Sequence, residues 1–159
     1  MTANALLDQA AAAIMEQFER GWSAPSPTAF DGFLADGVVL VQPALPTVRG
    51  RAQAHESLAR LFLFAPTLTG RVLSWSSDGN VLFIEIEFSA SGRRRPLRFN
   101  AVDRVLFDAH GVVHERVTYM DPLELTKQIA RSPRLTLRWM WSRRVRDPIG
   151  KWAKLPAGS

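Results

Sequence analysis

The chain has 159 residues, a hydrophobic fraction of 47%, no cysteine and a formal net charge of +5, which describes one folded domain rather than a disordered chain. Disulfides and thiolate chemistry are excluded. No apolar run reaches the ~20 residues of a spanning helix, and Asp8 without a basic leader argues against a secretory signal, so a cytoplasmic location is expected. His55, His110 and His114 have no metal-ligand spacing, and neither a metal nor another cofactor is expected.

In chain order, Asn4 to Trp22 reads as a helix, with Leu6, Leu7, Ala10, Ala11, Ile14 and Phe18 at helical spacing. Ser26-Pro27 predicts the start of a short second helix containing Phe30, Phe33 and Leu34, ended by Gly37. Val38 to Gln42 is a short strand stopped by Pro43. A loop from residue 44 to Gly50 then leads into a third helix, with Ala54, Leu58, Leu61 and Phe62 on one face and Pro66 beyond its end. From residue 67 the period changes to alternation. Leu68 to Ser76 is a strand, Asp78-Gly79-Asn80 a turn, and Val81 to Ser89 a strand with Leu82, Ile84, Ile86 and Phe88 on one face. Ser91-Gly92-Arg93 turns the chain, with Arg93-Arg94-Arg95 as a solvated tip. Two further strands, Leu97 to Phe107 and Val112 to Met120, complete an antiparallel meander. Helices first and sheet afterwards argue an α+β class.

Asp103 stands in the middle of an apolar strand, where a carboxylate must be solvated, paired or protonated. With Asp108-Ala109-His110-Gly111 as the turn, Phe107 is expected to pair near Val112 and Asp103 near Arg116. The pair is either a structural ion pair or the polar end of a ligand pocket. His114, Thr118 and Met120 share the expected face of Arg116.

The order of helices, short strand and four-stranded meander is carried by Phe33-Leu34-Ala35-Asp36-Gly37-Val38-Val39-Leu40-Val41-Gln42-Pro43, by Val48-Arg49-Gly50-Arg51-Ala52 and by Tyr119-Met120-Asp121. Over roughly residues 5–121 it resembles the nuclear-transport-factor-2-like superfamily, which includes ketosteroid isomerase, limonene epoxide hydrolase and SnoaL-type polyketide cyclases. The resemblance implies helices packed on a curved antiparallel sheet around a cone-shaped pocket for a small apolar molecule, polycyclic or terpenoid-like. It also implies that Phe18, Trp22, Leu58, Phe62, Ile84, Ile86, Phe88 and Val105 line that pocket. Asp103 falls where ketosteroid isomerase keeps a hydrogen-bond-donating acid, held neutral by its apolar site. The family's tyrosine donor matches Phe18 and its aspartate base matches Gln42. Neither can do that work, which argues against ketosteroid isomerisation. The two carboxylate positions of limonene epoxide hydrolase match Asn100 and Thr118. SnoaL-type cyclases act through a single aspartate, so if the domain is an enzyme the resemblance points to Asp103 as acid/base or electrostatic stabiliser with Arg116 on a developing oxyanion, and to Gln42 orienting a polar group. The alternative is a noncatalytic dimeric domain whose basic tail docks on a membrane surface or protein partner.

Charge is divided unevenly. Residues 1–121 carry 11 basic against 13 acidic groups, and residues 122–159 carry 9 against 2. A boundary is therefore expected near residue 131, between the domain (1–131) and a basic, tryptophan-rich extension (132–159). Leu135, Leu137, Trp139 and Trp141 alternate as in a strand, while the arginines and indoles suit a membrane surface. Packing over the pocket mouth or against a partner subunit is the other reading. No specific nucleic-acid motif is present. A homodimer through the sheet face carrying Phe83, Val113, Val117 and Tyr119 is expected, because that face is too apolar to leave in water.

Overall fold

Alanine and the i, i+4 spacing of its large side chains build α1 (Ala3–Ser23), which buries Ala10, Ala11, Ile14, Met15, Phe18, Gly21 and Trp22 along one face. The computed structural model describes residues 3–43, 45–91 and 96–155. Where α1 ends, consecutive turns carry residues 27–33, with Ala29, Asp31 and Phe33 each donating to the carbonyl three residues back. The expected second helix is absent. Leu34 and Gly37 belong instead to strand β1 (Leu34–Val41), which also holds Val38 as expected. The stretch from Pro27 to Phe33 is too short to repay helix nucleation, and β1 starts early because Phe33 O accepts from Val113 N at 2.7 Å. Asp31 Oδ1 and His55 Nε2, 2.7 Å apart, fasten these turns to the helix that follows.

After the two-residue strand β2 (Val48–Arg49), α2 (Arg51–Phe64) buries Ala54, Leu58, Ala59, Phe62, Leu63 and Phe64. The alternating region forms β3 (Thr69–Asp78), β4 (Val81–Ala90), β5 (Leu97–Phe107) and β6 (Val113–Tyr119). Gly79 and Gly111 supply the positive φ angles of 58° and 75° needed at two of the turns. The expected turn at Gly92–Arg93 and the tip Arg93–Arg95 lie outside the described residues. The strands join in the order β2-β1-β6-β5-β4-β3, and β1 runs parallel to β6 while the other pairings are antiparallel. The sheet is therefore mixed, and it curves around α1, α2 and the turns without closing.

The β4/β5 ladder is regular from Val81↔Leu106 to Ala90↔Leu97. The β5/β6 ladder is not. Phe107 pairs with Val113 and Leu106 with Glu115, so His114 is an extra residue in β6. Relative to the expected register, the turn adds one residue and this bulge adds a second. Asp103 consequently lies opposite Thr118, and Arg116 lies opposite Val105. A two-residue shift preserves the side-chain period, so Arg116 and Thr118 still share the face of Asp103.

Beyond β6 the chain forms α3 (Pro122–Ala130), α4 (Pro133–Arg144) and α5 (Pro148–Trp152), each with a proline in its first turn and an Asp or Ser cap. The alternation of Leu135, Leu137, Trp139 and Trp141 is thus a helix, not a strand. The extension rests on the domain: Arg60 of α2 donates to Ser142 O at 3.0 Å and to Val145 O at 2.7 Å, and Leu135 and Trp152 pack against the core.

Candidate functional site

Strands β5 and β6 place Asp103, Thr118 and Arg116 on the concave face. The row across the sheet is Trp75, Ile84, Asp103, Thr118. The Asp103 side chain is 2% exposed and that of Arg116 12%. Thr118 Oγ1 donates to Asp103 Oδ1 at 2.5 Å. Arg116 Nε stands 3.8 Å from Asp103 Oδ2, an ion-pair distance too long for a hydrogen bond. Among the described residues that Nε has no hydrogen-bond partner. Asp103 is therefore an acceptor toward Thr118 and a counter-charge toward Arg116, a different arrangement from the donating acid of ketosteroid isomerase.

Arg116 is the polar wall of a small internal cavity of about 20 Å³. Phe18 and Ile14 of α1, Leu58 of α2, Leu40 of β1 and Val105 of β5 line it, together with Phe30 and Phe33 from the turns. That volume holds about one water molecule. Beyond its wall, the rings of Trp22 and Phe88 pack 4.7 Å apart between centroids, and those of Phe88 and Phe99 5.0 Å.

Of the pocket residues expected from sequence, Phe18, Leu58, Val105 and Arg116 line the cavity. Trp22, Phe62, Ile84, Ile86 and Phe88 are core residues outside its wall. The Trp22 Nε1 is buried without a hydrogen-bond partner among the described residues. Gln42 follows Val38 and Leu40 on the inward alternation of β1 and is half-buried. Met120 is partly buried against the core.

His114 departs from its expected place. The bulge turns it out to the β5–β6 turn, where its Nε2 lies 2.9 Å from Asp108 Oδ2. That contact, followed by donation from the Val112 backbone N–H, holds the Asp108 carboxyl below the usual carboxylate range. Val113 departs too. It is buried and lines the cavity, so it is not part of the outer face. Sequence reasoning did not assign Phe30, Phe33 and Leu40 to the cavity. Leu40 carried a usable signal, since it alternates with Val38, whereas Phe30 and Phe33 read as one face of a helix that does not form.

Residues 15–115 match the SnoaL-like domain family. No curated protein matches the chain. Among solved structures, a protein of Jannaschia sp. CCS1, provisionally assigned as a SnoaL-like polyketide cyclase, superposes with a TM-score of 0.68 at 16% identity, over 84% of this chain and 97% of that one. A hypothetical protein with a ketosteroid isomerase-like fold from Catenulispora acidiphila DSM 44928, in complex with trimethylamine, gives 0.65 at 17% identity over 72% and 90%. An M. tuberculosis LEH-like epoxide hydrolase gives 0.62 at 17% identity over 77% and 91%. At such identities the likeness concerns the fold.

Proposed function

Because the chain belongs to the SnoaL-like domain family, we propose that it binds a small apolar molecule in its cone, with the molecule's polar group against Arg116 and Asp103. The observation that carries this reading is the Arg116 Nε, buried at the cavity wall with no hydrogen-bond partner among the described residues. A buried ion pair contributes little net stability compared with apolar residues of the same volume. A guanidinium that leaves one donor free in an apolar cone is better explained by an acceptor on a ligand. Asp103 is then the acid/base group and Arg116 the stabiliser of an oxyanion, should the ligand be transformed.

A cavity of about 20 Å³ is far below the roughly 300 Å³ of a ligand pocket, so binding requires the wall to open. Phe30 and Phe33 come from the turns, which are held by hydrogen bonds to the third residue back and by the Asp31–His55 contact. They are the part of the wall with the least secondary structure to lose. The test is a thermal-melt panel of polycyclic and terpenoid compounds on the wild type and on Arg116→Met. A binder at a hundred times its Kd adds about 2.7 kcal/mol, hence a Tm rise of a few degrees that the variant abolishes. No rise with any compound, or the same rise in the variant, rejects the reading.

The size of the cavity favours a second reading, a noncatalytic domain whose cone is simply filled. Under it, no compound raises the Tm and function resides on the outer surfaces.

A further inference from the structure

Helix α4 keeps its apolar stripe in solvent. Ser142 is buried and Leu135 packs against the core. Leu137, Met140 and Trp141 stand at i, i+3 and i+4, share the opposite flank, and are 66%, 41% and 46% exposed. The helix cannot simply roll to bury them, because Arg60 holds the Ser142 and Val145 carbonyls. Around the stripe, Arg134, Arg138, Arg143 and Arg144 are exposed, and the Arg143 guanidinium lies over the Trp139 ring at 4.9 Å. Residues 133–155 hold seven basic groups against Asp147 alone. No helix among the described residues is long and apolar enough to cross a membrane.

We propose that α4 lies on an anionic bilayer surface, with Leu137, Met140 and Trp141 at the headgroup boundary and the flanking arginines on lipid phosphates. This surface is separate from the cone and stands whether or not the cone binds a ligand. A short apolar stripe with a rim of one sign matches a sheet of negative headgroups over a hydrocarbon edge, where indoles and guanidinium groups both find favourable places. Nucleic acid would satisfy the arginines and leave Leu137 and Met140 in water.

The test is co-sedimentation of the full chain with vesicles of phosphatidylglycerol and phosphatidylcholine in equal parts, and with phosphatidylcholine alone, across a salt series. Binding to the anionic vesicles is expected, weakening as salt rises. Arg134→Gln and Arg144→Gln each lower the partition constant about fivefold. The triple variant Leu137→Ser, Met140→Ser, Trp141→Ser loses binding while its melting curve is retained, since it touches only exposed side chains. The proposal is overturned if anionic vesicles fail to bind the wild type, or if the triple variant binds as well as the wild type. It is equally overturned if the wild type binds an oligonucleotide and no vesicle, or if it is an oligomer that the triple variant dissociates.

Discussion

Among the described residues, Arg116 is the cation within ion-pair distance of Asp103, and Thr118 donates a hydrogen bond to that carboxylate. Arg116→Leu leaves the acid buried with the hydroxyl alone. Breaking such a pair from one side typically costs about 3 kcal/mol, which urea unfolding at neutral pH will read. The double variant Asp103→Leu, Arg116→Leu is expected to recover most of that loss, since two apolar side chains suit the surrounding Ile84 and Val105. A single variant as stable as the wild type would show that the pair is solvated. Asp108 gives the pH dependence. Its folded carboxyl titrates below the ordinary value of 3.8, first because of His114 and then because of the Val112 N–H. A depressed acid adds stability that is present above its unfolded pKa and is lost as pH falls through the folded one. The stability difference between the wild type and Asp108→Asn is therefore expected to close as the pH falls through the carboxylate range. A difference that persists undiminished in strong acid would reverse the assignment.

Among the elements, α4 shows how a distant residue decides a local structure. Its strand-like alternation is overridden by the Ser132 cap, the proline at its first turn and the Arg60 guanidinium at its C-terminal end. A cation there satisfies free carbonyls and complements the helix dipole. Arg60→Met is expected to cost about 1–3 kcal/mol and to speed amide exchange in α4 and α5, while β4 and β5 stay protected. Uniform acceleration across the sheet would mean that the extension and the domain unfold as one unit. Gly21 acts between elements in the same way. A Cβ there would stand 2.5 Å from the Phe30 ring, so the close passage of the turns over α1 depends on its absence.

For the whole molecule, the convex sheet face exposes Phe83, Val102 and Tyr119, with Val117 half-covered. The Arg71–Glu87 and Arg104–Glu115 pairs stand among them. We propose that two copies associate through this face, as the apolar area suggests. Sedimentation at micromolar concentration is expected to give a dimer that Phe83→Lys with Tyr119→Lys converts to a monomer. A monomeric wild type would contradict it.

The α+β class, the boundaries of β4 and β5 and the inward face of the sheet were legible in the sequence, because side-chain period and turn chemistry are local properties. Asp103 was legible for the same reason, as a charge out of place in an apolar strand. Its partner was legible only by face: the turn and the His114 bulge each shifted the ladder by one residue, and the two shifts together restored the alternation. The bulge is set by how β6 meets both β5 and β1, which no stretch of the chain encodes alone. The missing second helix, the docking of α4 through a residue 82 positions away and the near-closure of the cone were likewise settled by packing. Periodicity marks which side chains point inward, but the volume left between them depends on how α1, the turns and the sheet close on one another.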